Sequence, residues 1–411
     1  MNSPTATSGP RNSVALFFIT LGLFGLYLIE FGVVGILPSI ISRFDISIME
    51  SSWLLGSFAL IVGVCGPFIV LFIGRFDRRK LLALSLLVFG ITGIVSAIAP
   101  SYGALLAIRV PSALMHAVFF SVAFTTVRAL FPPEKAARAT AIAFVGTTMG
   151  MVLGVPLMAR FEATLSYEAA FLFSGIANLL AAIGVWIVVP RSDASQRASL
   201  GSTVQVLKKP ALWLALVQGV CVFAAMLSVY GFAAEYLERV AGLDGQRISI
   251  LLVVFGLGGV IGNLLAGKFL DHWLFRTALL YPIALSAAYL VLFAFGSATF
   301  AALFPVCLVW GVGHAAGQVV SQVWTVSSAT GAPEFVTSLF ASAGNFGVLA
   351  GSTVGAVFIT MNGMHGAIQS GWMFAALAVL LVLVSRLGPF RTTAGGANTA
   401  PAVQEHQTAA P

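Results

Sequence analysis

Charge is scarce in this chain. Asp, Glu, Lys and Arg make up 9% of 411 residues, against 59% hydrophobic. A soluble protein of this length needs far more charge to cover its surface. Cysteine is scarce too: Cys65, Cys221 and Cys307 all fall inside apolar blocks, so no disulfide framework is implied. Chemistry-bearing motifs are missing as well. No GxxxxGK[ST] loop is present, which argues against ATP-driven pumping by this chain. The five histidines are scattered and none stands in HExxH spacing. That argues against a membrane-embedded acyltransferase or protease, and no metal site or catalytic residue is expected. No filter sequence or repeated ring of pore charges points to an ion channel.

What fills the chain instead is apolar blocks of roughly 20 residues, the length that spans a ~30 Å hydrocarbon core as helix. They predict an all-α polytopic membrane protein with twelve transmembrane helices. The spans fall at about 14–41, 51–74, 81–99, 103–130, 139–159, 169–189, 211–234, 247–267, 277–296, 301–326, 335–360 and 367–385. The first block is too long for a signal-peptide core and reads as an uncleaved first span. The longest internal polar stretch divides the spans into two groups of six. The expected organisation is a cytoplasmic N-terminal tail at 1–13, a six-helix bundle at 14–190, a cytoplasmic central loop at 191–210, a second six-helix bundle at 211–386 and a disordered cytoplasmic tail at 387–411.

Lys and Arg set the expected orientation. Of the 21 basic residues, sixteen fall on one side, including Arg11, Arg75, Arg78, Arg79, Lys80, Lys208, Lys209, Lys268 and Arg276. Only Arg43, Arg160, Arg239 and Arg247 fall on the other. Both termini and the central loop are therefore expected in the cytoplasm. The formal charge of +7 follows from these loop clusters and does not indicate nucleic-acid binding.

The halves echo each other. Gly146, Gly150 and Gly154 in span 5 match Gly347, Gly351 and Gly355 in span 11. His116 in span 4 matches His314 in span 10, each about thirteen residues into its span. The basic loop after span 2 matches Gly267, Lys268 and Asp271 after span 8. Such a duplicated six-span unit is how secondary transporters are built, with the binding site near the midplane where the repeats meet.

Glu30 stands near the middle of the first apolar block. A carboxylate at that depth is costly, so it is a functional-site candidate by default, as a group that binds protons or cations. The plainer reading is a side chain capping a kink near Pro38, from which eight residues of helix are expected to separate it. Arg109 is the second intramembrane charge. By ~1.5 Å per residue it lies ~9 Å below the outer end of span 4 and Glu30 ~16 Å below that of span 1. An extended arginine bridges that difference if the two spans face each other. His116 follows Arg109 by two helical turns on the same face, at the depth of Glu30. It suits proton relay, substrate binding or a packing hydrogen bond.

The glycine row of span 5 lines one helix face and admits close approach of another helix. Pro156 behind it bends or ends the regular helix. Tyr230, Asn263, Gln318, Gln322, Asn345 and His314 are polar groups within the second-half spans. They serve as interhelical hydrogen-bond partners or as candidates for a substrate cavity.

These residues resemble a known family. Glu30-Phe-Gly-Val-Val-Gly-Ile-Leu-Pro38 is similar to the acidic first-span motif of the major facilitator superfamily's bacterial twelve-span drug:proton antiporters and their sugar-efflux relatives. Arg109-Val-Pro-Ser-Ala-Leu-Met-His116 resembles that family's span-4 arginine motif. Gly146 through Pro156 resembles the span-5 glycine–proline motif associated with antiporters, and the stretch from Phe340 to Gly351 resembles the matching part of span 11. The resemblance covers roughly residues 14–386. It implies a role in proton transfer for Arg109 and in proton or cation handling for Glu30. The loop after span 2 departs from the family pattern: Gly74-Arg-Phe-Asp77 brings the acid one residue early, before Arg78 and Arg79, whereas Gly267 to Asp271 keeps the spacing. Ser166-Tyr-Glu168 stands where relatives often carry Trp-Arg.

The resulting expectation is a proton-coupled secondary transporter of a bacterial inner membrane that exports a small organic compound such as a drug, a sugar or a related metabolite. It needs no cofactor beyond the proton gradient. Its partners are the substrate, protons and the bilayer, with no nucleic acid, and it works as a monomer. An importer or facilitator on the same fold is the alternative.

Overall fold

The computed structural model describes residues 10–46, 50, 53–73, 76–191, 205–329 and 332–387. The expected tails and most of the central loop lie outside these residues. Every regular element among the described residues is helical. A bilayer core offers no water to satisfy backbone groups, and a helix satisfies its own. Span 1 runs Pro10–Phe31, passes through a 3-10 turn at Gly32–Ile36 and resumes at Leu37–Phe44. Spans 2 to 6 are Trp53–Ile73, Arg78–Ser96, Tyr102–Leu130, Pro133–Thr164 and Tyr167–Val188. Span 7 is Pro210–Tyr230, followed by a short helix Ala233–Ala241. Spans 10 to 12 are Phe300–Ser328, Pro333–Asn362 and Gly366–Val384.

Between them lies Gly245–Phe295, 51 residues with one non-helical residue, Trp273 (φ −139°, ψ 55°). A straight rod of that length far exceeds the thickness of a bilayer. It is two spans, 8 and 9, turned at Trp273. Gly258 and Gly262 of span 8 pack on Leu308 and Val312 of span 10, and Gly313 of span 10 packs on Leu285 and Ala288 of span 9. With that turn, the eleven membrane-length helices among the described residues make twelve crossings. Side-chain caps start several of them: Asp77 accepts from the Lys80 backbone N–H, Ser101 from Ala104, Ser166 from Ala169 and Asp244 from Arg247.

The glycine rows explain which spans meet. Gly146, Gly150 and Gly154 lie on Thr20, Phe24 and Leu28 of span 1, while Gly347, Gly351 and Gly355 lie on Val220, Ala224 and Ser228 of span 7. A Cβ at Gly150 would sit 2.6 Å from the Phe24 carbonyl oxygen, and one at Gly351 2.5 Å from that of Ala224. Only glycine lets these backbones touch. Pro156 does not end span 5, which continues to Thr164.

The halves are joined from mid-span to the face that carries the termini. Ser342 Oγ donates to the Gly63 carbonyl at 2.8 Å, and Asn263 Nδ2 to Thr148 Oγ1 at 2.8 Å. Thr147 Oγ1 donates to Gln318 Oε1 at 3.4 Å. The Phe120 and Phe340 rings stack across the same seam, 6.4 Å apart. At the termini face Arg78 Nη2 pairs with Glu334 at 2.6 Å, and the Asp271 carboxylate accepts from the Arg138 backbone N–H at 3.1 Å.

Candidate functional site

The site begins with a break in a helix. Pro38 has no N–H to give Val34, and its ring crowds that carbonyl. Gly32 and Gly35 further weaken helix in between. The chain accordingly leaves the α-helix at Gly32, and Ile36 (φ −116°, ψ 14°) is off it altogether. Glu30 is thus two residues from the break, not separated from the proline's influence by eight residues of helix. Gly35 packs directly on the Val155 backbone of span 5, next to Pro156, so two irregular segments lie against each other.

The break frees backbone carbonyls, and Arg109 takes them. Its Nη1 donates to the Ile29 carbonyl at 3.0 Å and its Nη2 to the Glu30 carbonyl at 3.4 Å. The expected bridge from Arg109 to Glu30 therefore exists through the backbone, not through the carboxylate. A cation at a helix C-terminus is favourable because the last carbonyls carry the negative end of the helix dipole. The guanidinium also lies over the Phe58 ring, 5.3 Å from its centroid.

The carboxylate turns to His116 instead. Glu30 Oε2 is 3.1 Å from His116 Nε2, within ion-pair distance though off the line of a hydrogen bond. Both side chains are buried, with 11% and 6% of their surface exposed. The imidazole is boxed by Tyr27, Phe58 and Phe120, with ring centroids 6.0, 5.7 and 6.1 Å away. A carboxylate and an imidazole this close can share or pass one proton, and the aromatic box keeps bulk water from the pair.

The second half repeats the scaffold with different chemistry. Span 7 ends at Tyr230, and Phe232 (φ −115°, ψ 17°) leaves the helix just as Ile36 does. His314 lies 5.0 Å from the Tyr230 ring and 5.1 Å from Phe255. Among the described residues no charged group accompanies it. Further along the same helices are buried polar groups without protein partners: Ser321, Gln322 and Thr325, seven to eleven residues beyond His314 on span 10, and Gln218, twelve residues before Tyr230 on span 7. Asn345 donates one amide N–H to the Ala341 carbonyl of its own helix at 3.0 Å. Buried amides left dry are costly, so these groups call for water or a bound polar molecule.

Residues 19–352 match the family model of the Major Facilitator Superfamily. The chain belongs to that superfamily. It is 31% identical to the chloramphenicol resistance protein of Streptomyces lividans over 92% of this chain and 96% of that protein. It is 28% identical to the inner membrane transport protein YdhP of Escherichia coli K12 over 90% of this chain and 95% of that protein. The crystal structure of the human organic anion transporter MFSD10 superposes with a TM-score of 0.74 at 16% identity, covering 91% of this chain and all of that one.

The superfamily's loop motif takes an altered form here. Gly74 lies outside the described residues. Asp77 caps its own helix, and Arg79 stacks on Trp186 of span 6 at 4.5 Å. Arg78 reaches the other half through Glu334, in the first turn of span 11. The second copy reaches across as well: Gly267 lies on span 5, where a Cβ would meet the Arg138 Cα at 3.2 Å, and Asp271 bonds the Arg138 N–H. Sequence reasoning missed Glu334, Gln218, Phe58, Phe120 and Phe340. A carboxylate in the first turn after Pro333 was a signal for Glu334. Single apolar rings among 33 phenylalanines gave none.

Proposed function

We propose that this superfamily transporter is a proton-coupled exporter of small, largely uncharged organic compounds, working by alternating access as a single chain in a bacterial inner membrane. The observation that carries the reading is the buried Glu30–His116 pair at a broken helix, held by Arg109. The distribution of basic residues among the loops supports cytoplasmic termini. The seam is then closed on the cytoplasmic side, and the site loads protons from outside. Glu30 takes a proton in that state, the pair loses its attraction, and the broken segment of span 1 relaxes against Val155 and Pro156. As the halves rock about the glycine rows, the proton leaves toward the cytoplasm and substrate loads in exchange. The buried, unpartnered and uncharged polar groups of spans 7 and 10 suit a neutral substrate. The resistance protein at 31% identity supports a drug-like compound as cargo.

The test is dissipation of a pH gradient in proteoliposomes holding the purified protein. The panel is cationic drugs, neutral phenicol-type drugs, sugars and nucleosides, with Glu30→Gln beside the wild type. A neutral compound that collapses the gradient in wild type alone is the expected result. Equal substrate flux without proton movement in both proteins would make this a facilitator and remove Glu30 from coupling.

A further inference from the structure

A groove of about 480 Å³ opens between spans 8, 9 and 10, apart from the Glu30 and His314 sites. Small residues form its floor: Gly262, Ala266, Ala284 and Ala316 leave room where neighbouring spans carry larger side chains. It starts at Trp273, where the chain turns between spans 8 and 9, and reaches Gly262 and Ala284. Each of those two residues is eleven positions from Trp273, which is ~17 Å along a helix. That is the depth of one leaflet, half of a ~30 Å core. The groove therefore has the length and apolar lining of an acyl-chain site.

Its mouth is charged. Arg276 lines it, and Lys268 adjoins the lining residue Phe269 in the chain; both are exposed, and among the described residues neither has a counter-ion. The nearby acid, Asp271, is turned to span 5 and spent on the Arg138 N–H. Trp273, 52% exposed, stands at the depth where tryptophan prefers the headgroup boundary. We infer that this groove holds an anionic phospholipid of the leaflet on the termini face, one acyl chain along Gly262 to Ala284 and the phosphate on Arg276 and Lys268.

The experiment is quenching of Trp273 by brominated lipids in vesicles of defined composition, its signal isolated by comparison with Trp273→Phe. Brominated phosphatidylglycerol is expected to quench at a mole fraction about 25-fold lower than brominated phosphatidylcholine, about fivefold for each of the two basic side chains. Arg276→Gln or Lys268→Gln each reduces that preference roughly fivefold, the worth of one basic side chain at a lipid surface. Ala316→Phe, which fills the floor, weakens quenching by both lipids. Equal quenching by the two lipids overturns the inference. So does a preference that survives both charge removals, or displacement of the lipid by an apolar transported compound. The outcome is independent of proton coupling, because no variant touches Glu30, His116 or Arg109.

Discussion

The two halves carry the same frame and different chemistry. In each, the first helix breaks after 22 or 21 residues, a histidine on the fourth helix lies against the end of that segment, and a glycine row on the fifth helix holds the first. At the break the first half has Glu30, its carboxylate 3.1 Å from His116 Nε2 and its backbone carbonyl held by Arg109. The second half has Tyr230, in ring contact with His314 and, among the described residues, in no ion pair. Helix packing is a matter of backbone approach and survives any exchange of the side chains that face the cavity. Charge is not so portable, because each buried ion needs partners in place. The two halves thus share the broken first helix and its glycine packing, while one carries an acid beside a histidine and the other an uncharged tyrosine in the corresponding place.

The largest expected effect separates the halves outright. Glu30→Gln keeps the fold but abolishes uphill transport, a loss of at least about a hundredfold, as expected for a group that transfers protons. Tyr230→Phe shifts only the apparent KM. Flux measured in vesicles with an imposed pH gradient decides it, and equal losses in both variants would erase the distinction drawn here.

Arg109 comes next. Arg109→Ala leaves the Ile29 and Glu30 carbonyls unpaired at a cost of about 1–3 kcal/mol. It also lowers coupled transport, whereas Arg109→Lys keeps part of it. Thermal unfolding read beside the ratio of protons to substrate moved is the measurement. Wild-type coupling in Arg109→Ala would show that the carbonyl contacts matter only to stability.

The histidines sharpen the comparison further. His116→Gln changes the shape of the pH–rate profile, because it removes the partner of Glu30. His314→Gln leaves the profile alone and weakens substrate affinity. Profiles of kcat and KM across pH for the two variants test this, and a shifted profile in His314→Gln would place proton handling in both halves.

The smallest effect is where the halves should agree. Gly150→Ala and Gly351→Ala each push a methyl against a carbonyl of the facing helix and cost about 1–3 kcal/mol. Melting curves in detergent compare them. A large penalty in one half only would mean that the two hinges are not equivalent.

Much of this was legible beforehand. Glu30, Arg109 and His116 stand out because charge inside an apolar block is expensive, and their depths followed from residue counts. The mutual arrangement did not follow. Counting helical rise brought Arg109 within reach of Glu30 but cannot tell a carbonyl from a carboxylate, since the freed carbonyls exist only once the helix has broken. The effect of Pro38 was placed too close to the proline itself. Its influence combines with Gly32 and Gly35 to move the break a full turn upstream.

The amino-acid sequence alone determined the number of crossings, the glycine faces and the residues with chemistry to offer. These follow from local properties: apolar length against bilayer thickness, spacing along a helix, and the cost of burying charge. Only the tertiary structure decided which partner each group found. The Glu30–His116 pair, the Phe120–Phe340 stack and the Arg78–Glu334 bridge depend on how each helix is rotated about its axis. That rotation is the outcome of packing over many faces at once, and no short stretch of residues encodes it.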